Sequence, residues 1–391
     1  MKNNIKIPVA LQIRVDDVAW QKGQDERCLR KPSRSGLPRM HHPLDYIILN
    51  ELGKALDMHI GCSLVLGEWD KDNILRGVPH VTFNEKGWDR ASELDMDYCE
   101  KCFEALDGGE YLDYTLHGLM HGYYVDDKLL VELQYYPNVY DKEKGCYLKD
   151  VYGKLPYDEF RRHIELFLQI YNSWGFKKEI LSFASPCGAI GTPQSNADYA
   201  DIIKEYGMIY WNNGFYEFEH DNMDVVNGVI CTQAVEFLPW EAYDIDPRYM
   251  PDIMTGNEER PKTDYCSHWT NYIRFNPENN LERLPLWIDY FNRQSEIFGA
   301  MLSRNTGFAA SQAVYNRFAD MKFEDGKCII DLAEVDKKGA IGLKNEFYVS
   351  FKNGTVPSSF DGGVGEVYET KKAFTTYKIT RDNSDRVVIS F

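Results

Sequence analysis

The chain has 391 residues, 43% of them hydrophobic and 14% aromatic, with a formal charge of −17 at pH 7. So acidic a composition argues against a protein that grips nucleic-acid phosphates or anionic membrane surfaces through Lys and Arg, and favours a neutral or cationic ligand. No apolar run approaches the ~18–20 residues that span a bilayer, and the segment Met1-Lys-Asn-Asn-Ile-Lys-Ile-Pro8 lacks the apolar stretch of a secretory signal. A cytoplasmic globular protein of roughly two domains is therefore expected. Nine cysteines without a regular framework fit reduced thiols in a chain of this length.

In chain order, Ile5, Ile7, Val9, Leu11, Ile13 and Val15 alternate with period two, which predicts a strand that ends at the acidic pair Asp16-Asp17. Burying such a pair is costly unless the charges meet a cation. Residues 18–42, broken by Gly23, Pro32, Gly36 and Pro38, read as a loop. Pro43 opens a helix with Leu44, Ile47, Ile48, Leu52, Ala55 and Leu56 at helical spacing, and a strand follows from Ile60 to Leu66. The adjacent His41-His42 and the lone pair Cys99-x-x-Cys102, in a helical segment over 92–107, read as packing residues rather than metal sites.

Leu112–Leu116 is a strand that delivers His117 and His121, whose spacing predicts a helical turn with both imidazoles on one side. Two histidines do not complete a catalytic zinc site, and Asp17 is the best third donor. Phe160, Ile164, Phe167, Tyr171 and Trp174 predict a core-facing helix. A strand at Ile180–Phe183, a helix over 195–206, strands at 208–211 and near Val229 and Val235, a short strand ending at His268 and a helix over 281–298 continue the alternation. Such alternation predicts an α/β fold, a parallel sheet closed into a distorted (β/α) barrel over residues 1–320, with function at the strands' C-terminal ends. From 321 to 391, short glycine-broken strands predict a small all-β module.

The motifs have a family look. Arg14-Val-Asp-Asp-Val18 resembles the T-F-D-D motif of the polysaccharide deacetylase (NodB-homology) family, and His117-Gly-Leu-Met-His121 resembles its H-[ST]-x-x-H motif. Phe183-Ala-Ser-Pro-Cys-Gly188 occupies the place of the R-P-P-[FY]-G loop, and Tyr265-Cys-Ser-His268 that of the terminal L-x-x-H. By position, the resemblance implies Asp16 as catalytic base and His268 as acid. It implies the backbone N–H of Cys187 as oxyanion donor, and Asp17, His117 and His121 as ligands of one divalent metal, zinc. The implied reaction is N-deacetylation of an N-acetylated sugar or polysaccharide. Three departures stand out: Ala184 replaces the arginine that pairs with the base, Gly118 replaces Ser or Thr, and no aspartate near Trp211 orients the acid histidine. Arg14 shares strand parity with Asp16 and is a candidate substitute for the arginine. The alternative is a non-catalytic carbohydrate-binding or scaffold protein that keeps the barrel and the metal.

Overall fold

The alternating run from Ile5 to Val15 does not form one strand. In the computed structural model, which describes residues 4–391 except 23–36, 38, 214, 216–222, 239–241, 243–244, 254–261 and 299–300, it is divided between two sheets. Ile5–Lys6 pairs with Glu346–Lys352 in a C-terminal sheet, while β1 (Ala10–Val18) belongs to the central barrel. Pro8, which has no N–H to donate, lies in the break. Ile5 and Ile7 pack with Val314, Phe347 and Ile379, whereas Val9, Leu11, Ile13 and Val15 join the main core. Most of the loop expected over 18–42 lies outside the described residues.

Around β1 stand β2 (Ile60–Val65), β3 (Leu112–Gly118), β4 (Ile180–Phe183), β5 (Tyr210–Asn213), β6 (Val229–Glu236) and β7 (Asp264–His268). Each pairs in parallel with the next, and β7 pairs with β1, so seven parallel strands close a barrel. Helices α1 (Pro43–Leu56), α2 (Met96–Asp107), α3 (Tyr157–Trp174) and α4 (Ala197–Glu205) make the first crossovers. Among the described residues no helix joins β5 to β6; an antiparallel strand, Met223–Val226, lies against β6 instead. Between β6 and β7 the described residues likewise hold only a 3₁₀ turn, Pro247–Tyr249. The pattern also predicts two strands near Val229 and Val235 where β6 is continuous, and the last helix of the pattern, α5 (Leu284–Phe298), follows a 3₁₀ run, Pro277–Arg283, rather than starting at Leu281.

Local chemistry accounts for these elements. In α3 the stripe Phe160, Ile164, Phe167, Tyr171 and Trp174 is buried throughout, and Gly175 ends the helix at φ 77°. Pro43 takes the first turn of α1, and the His42 ring accepts the Leu44 N–H at 3.2 Å. His41 is buried with Nδ1 2.6 Å from the Tyr46 hydroxyl, and burial pushes its pKa down to about 3. The pair thus starts a helix. Cys99 and Cys102 are buried in α2, and burial pushes the Cys99 thiol up to about 11.

From Asp320 onward the chain forms one four-stranded antiparallel sheet and three strands of a second, which Ile5–Lys6 completes. The segment is not purely β, because a short helix, Ala333–Lys337, buries Val335. One apolar contact in five residues leaves no period to read. Nor is the segment detached: α6 (Thr306–Phe318) gives it Ala310, Ala313 and Val314. Within α6, Gln312 Nε2 donates to the carbonyls of Pro8 (2.7 Å) and Tyr348 (3.0 Å), and its Oε1 accepts the Tyr348 N–H at 3.0 Å. This one amide fastens the lead-in to β1 to the C-terminal sheet. Gln312→Leu strips three buried backbone groups of their partner and is expected to destabilise the protein by about 1–3 kcal/mol, read as a lower thermal midpoint than that of an exposed control such as Glu334→Gln.

Candidate metal centre

Strict alternation would send Asp16 and Asp17 to opposite faces of β1. The strand avoids this with a bulge. Its register on β2 slips between Val15 and Val18, and Asp17 and Ala19 take left-handed φ values of 65° and 83°. Such conformations persist only where the surroundings enforce them. They bring Asp17 to the C-terminal mouth of the barrel beside His117, at the end of β3.

The helical turn expected for His117–His121 is absent. β3 runs through Gly118, and a tight turn with His121 at φ 56° returns the second imidazole toward the first. The ring centroids lie 5.0 Å apart. Asp17 Oδ1 is 3.2 Å from His121 Nε2 and 3.8 Å from His117 Nε2, and the three residues' donor atoms all lie within 4.8 Å of one another. All three side chains are buried. His117 Nδ1 sits 2.9 Å from the Ala184 carbonyl, a group that only accepts, so Nδ1 keeps the proton and Nε2 offers its lone pair. Burial lowers the His117 pKa, against the pull of Asp16 and Asp17, which favours the neutral ring that a metal needs. One carboxylate and two imidazoles around a common point are a donor set that fits a divalent cation such as zinc.

Gly118 leaves room for a substitute anchor. Gln134 Oε1 lies 2.6 Å from where a Cβ on Gly118 would sit, and it accepts the Leu119 N–H at 3.0 Å. Gln134 Nε2 in turn lies 3.4 Å from Nδ1 of the buried His163. The side chain thus holds the turn between the two histidines from outside the motif. Sequence reasoning missed it, because Gln134 arrives on an excursion between β3 and α3 that contains two β-hairpins.

Beside the metal trio lies a second group. Arg14 Nη2 donates to Asp16 Oδ2 at 3.1 Å, and Arg14 Nε lies 2.9 Å from Oδ1 in ion contact, so the pairing suggested by strand parity forms. Arg14 Nη1 donates to Asp264 Oδ2 at 3.2 Å and to the Asn212 carbonyl. The Cys266 thiol donates to Asp16 Oδ2 at 3.1 Å. Burial alone would raise the Asp16 pKa; Arg14, His117 and His268 overcome it and hold this carboxyl well below the usual range. Burial, helped by Asp16 and opposed by Arg14, pushes Asp264 up to about 6. Asp264 and Cys266 share parity with His268 along β7, a signal legible in the sequence.

His268 stands in register with Asp16 on the neighbouring strand. Its Nδ1 lies 2.9 Å from the Leu238 carbonyl, so a backbone oxygen orients the ring in place of an aspartate. Cys187 sits in a turn closed by Gly188 N–H donating to Ser185 O at 3.2 Å, with a left-handed φ of 55°. Substituting Gln134 by Leu keeps the volume but removes the acceptor. It is expected to weaken zinc binding about 10- to 100-fold, the usual effect of losing a group that supports metal ligands, as measured by competition with a chromophoric chelator.

No family profile matches the chain, and no curated protein matches it. Among solved structures it is similar to a CE4 family pseudoenzyme from Bacillus anthracis at 13% identity, covering 78% of this chain and 66% of that one, with a TM-score of 0.36. A mutant of that protein with restored enzymatic activity gives 13% identity, 78% and 68% coverage and a TM-score of 0.36. A protein from Mycobacterium smegmatis described as a polysaccharide deacetylase gives 11% identity, covers 76% of each chain and has a TM-score of 0.33. By its parallel barrel and by the order of its Asp-Asp, His-x-x-x-His, loop and terminal-histidine motifs, the chain resembles a divergent member of the polysaccharide deacetylase family.

Proposed function

We propose that the protein is a metal-dependent hydrolase that removes the acetyl group from an N-acetylated sugar or polysaccharide. The observation that carries this reading is the convergence of Asp17, His117 and His121 at the barrel mouth, with Asp16 and His268 beside them. A mere cation site has no use for the last two. A divalent ion held there supplies Lewis-acid polarisation of an acetamide carbonyl and a lowered pKa for an attacking water. Asp16, kept ionised by Arg14, receives the proton of that water. His268 gives a proton from Nε2 to the departing amine, which needs an acid because an amide anion leaves poorly. The Leu238 carbonyl keeps the other ring proton on Nδ1 and so aims Nε2. The backbone N–H of Cys187 is assigned to the developing oxyanion, a role commonly contributing of order 2.7–4 kcal/mol.

One observation favours the non-catalytic alternative: a backbone carbonyl, not a carboxylate, orients the His268 ring. A sugar-binding protein would retain the ion and the cleft and tolerate that loss. Among the described residues no helix is long and apolar enough to cross a membrane, and the substrate class proposed here is a carbohydrate.

Acetate release from N-acetylglucosamine oligomers, measured alongside metal content, decides between the two. His268→Ala and Asp16→Asn are each expected to slow turnover about 10²- to 10⁴-fold with one divalent ion still bound per chain. Wild-type protein that binds metal and sugar yet releases no acetate points to the binding protein. Variants with undiminished turnover remove Asp16 and His268 from the chemistry.

A further inference from the structure

His121 belongs to two clusters of metal-ligating groups. Besides Asp17 and His117, it meets Glu132 from the excursion after β3 and Cys187 from the turn after β4. One ligand atom from each of His121, Glu132 and Cys187 lies within 4.8 Å of the other two, and Cys187 Sγ is 3.8 Å from Glu132 Oε2. Tetrahedral bonds of about 2.0–2.3 Å set ligand atoms roughly 3.3–3.8 Å apart, so this trio closes on an ion with a shift of about 1 Å. Imidazole, carboxylate and thiolate form a borderline-soft set that suits zinc. The Cys187 side chain is exposed, so its thiol is open to a solvent ion.

A neutral imidazole has a single ring lone pair, so His121 serves one cation at a time. We propose that the divalent ion has a second seat, formed by His121, Glu132 and Cys187, in which a thiolate holds it away from Asp17 and His117. The inference rests on the reading of Asp17, His117 and His121 as the hydrolytic metal site. Occupying the thiolate seat costs the Cys187 proton, which passes to solvent, and leaves the hydrolytic position empty. Alkylation of this exposed thiol by iodoacetamide, which releases iodide, removes the second seat and returns the ion to the first.

Cobalt(II) reports the difference, because a thiolate ligand adds an intense sulfur-to-cobalt charge-transfer band in the near ultraviolet that oxygen and nitrogen ligands do not give. The full-length protein loaded with cobalt is expected to show that band. Cys187→Ser should abolish it while one cobalt still binds, and Glu132→Gln should at least halve its intensity. Asp17→Asn combined with His117→Asn should keep it. Cobalt bound without a charge-transfer band in wild type overturns the second seat and leaves the hydrolytic site standing, as does a band that survives Cys187→Ser and so belongs to another thiol. If Cys187→Ser binds no cobalt while wild type shows the band, the reading of Asp17, His117 and His121 fails instead, and with it the exchange between two seats.

Discussion

Everything at the mouth of the barrel leans on one guanidinium. Arg14, buried on β1, faces the carboxylates of Asp16 on its own strand and Asp264 on β7. Two buried carboxylates at this range repel, and each loses hydration; a shared cation with several directed donors is what makes the pair tolerable. The division is unequal. Asp16 accepts hydrogen bonds from Arg14 Nη2 and the Cys266 thiol, with Arg14 Nε in ion contact besides, and is held ionised, while Asp264 accepts one donor from Arg14 and is pushed up to about 6. Removing the guanidinium would strand both charges, a loss of about 3–5 kcal/mol for a broken buried pair. Because Arg14 also donates to the Asn212 carbonyl, it ties β1, β5 and β7 together across the interior.

The barrel was legible because its signals are periodic. β1 declares itself by alternation, α3 by a stripe of five apolar rings and aliphatics, and the strand-then-helix order implies parallel pairing. The candidate ligands were legible as residue types at strand ends. Their geometry was not. Alternation says nothing of the bulge that turns Asp17 beside Asp16, and a spacing of four suggested a helix where His121 instead adopts a left-handed turn. Neither conformation has a glycine or asparagine to announce it, since tertiary contacts enforce both. The carbonyl of Leu238 that orients His268 is a backbone group, and backbone groups carry no residue signature.

Gly118 and Gln134 show why motif departures need geometry before they are read as losses. The glycine lacks the hydroxyl that the family motif places there, yet the vacated space admits the Gln134 amide, from the segment between two hairpins, to the same turn. Arg14 likewise supplies from β1 a partner for Asp16 that the loop at Ala184 does not provide. In both cases the physical requirement, an acceptor for a turn N–H or a cation for a buried carboxylate, is met from elsewhere in the chain.

The divided run at the start of the chain also governs the order in which the protein can be assembled. Ile5 pairs with Phe351, and β1 is flanked by β7, whose last residue is His268. Contacts of such long sequence separation form slowly, because the intervening chain must be closed into a loop before they return any energy. A ribosome extruding this chain therefore releases Arg14 and Asp16 long before Asp264 and Cys266, which pack against them from β7, exist. The strand that carries the site waits for β7 to close the barrel and for the segment around Phe351 to fix its lead-in. The mouth of the barrel thus takes its final shape late in the life of each new chain.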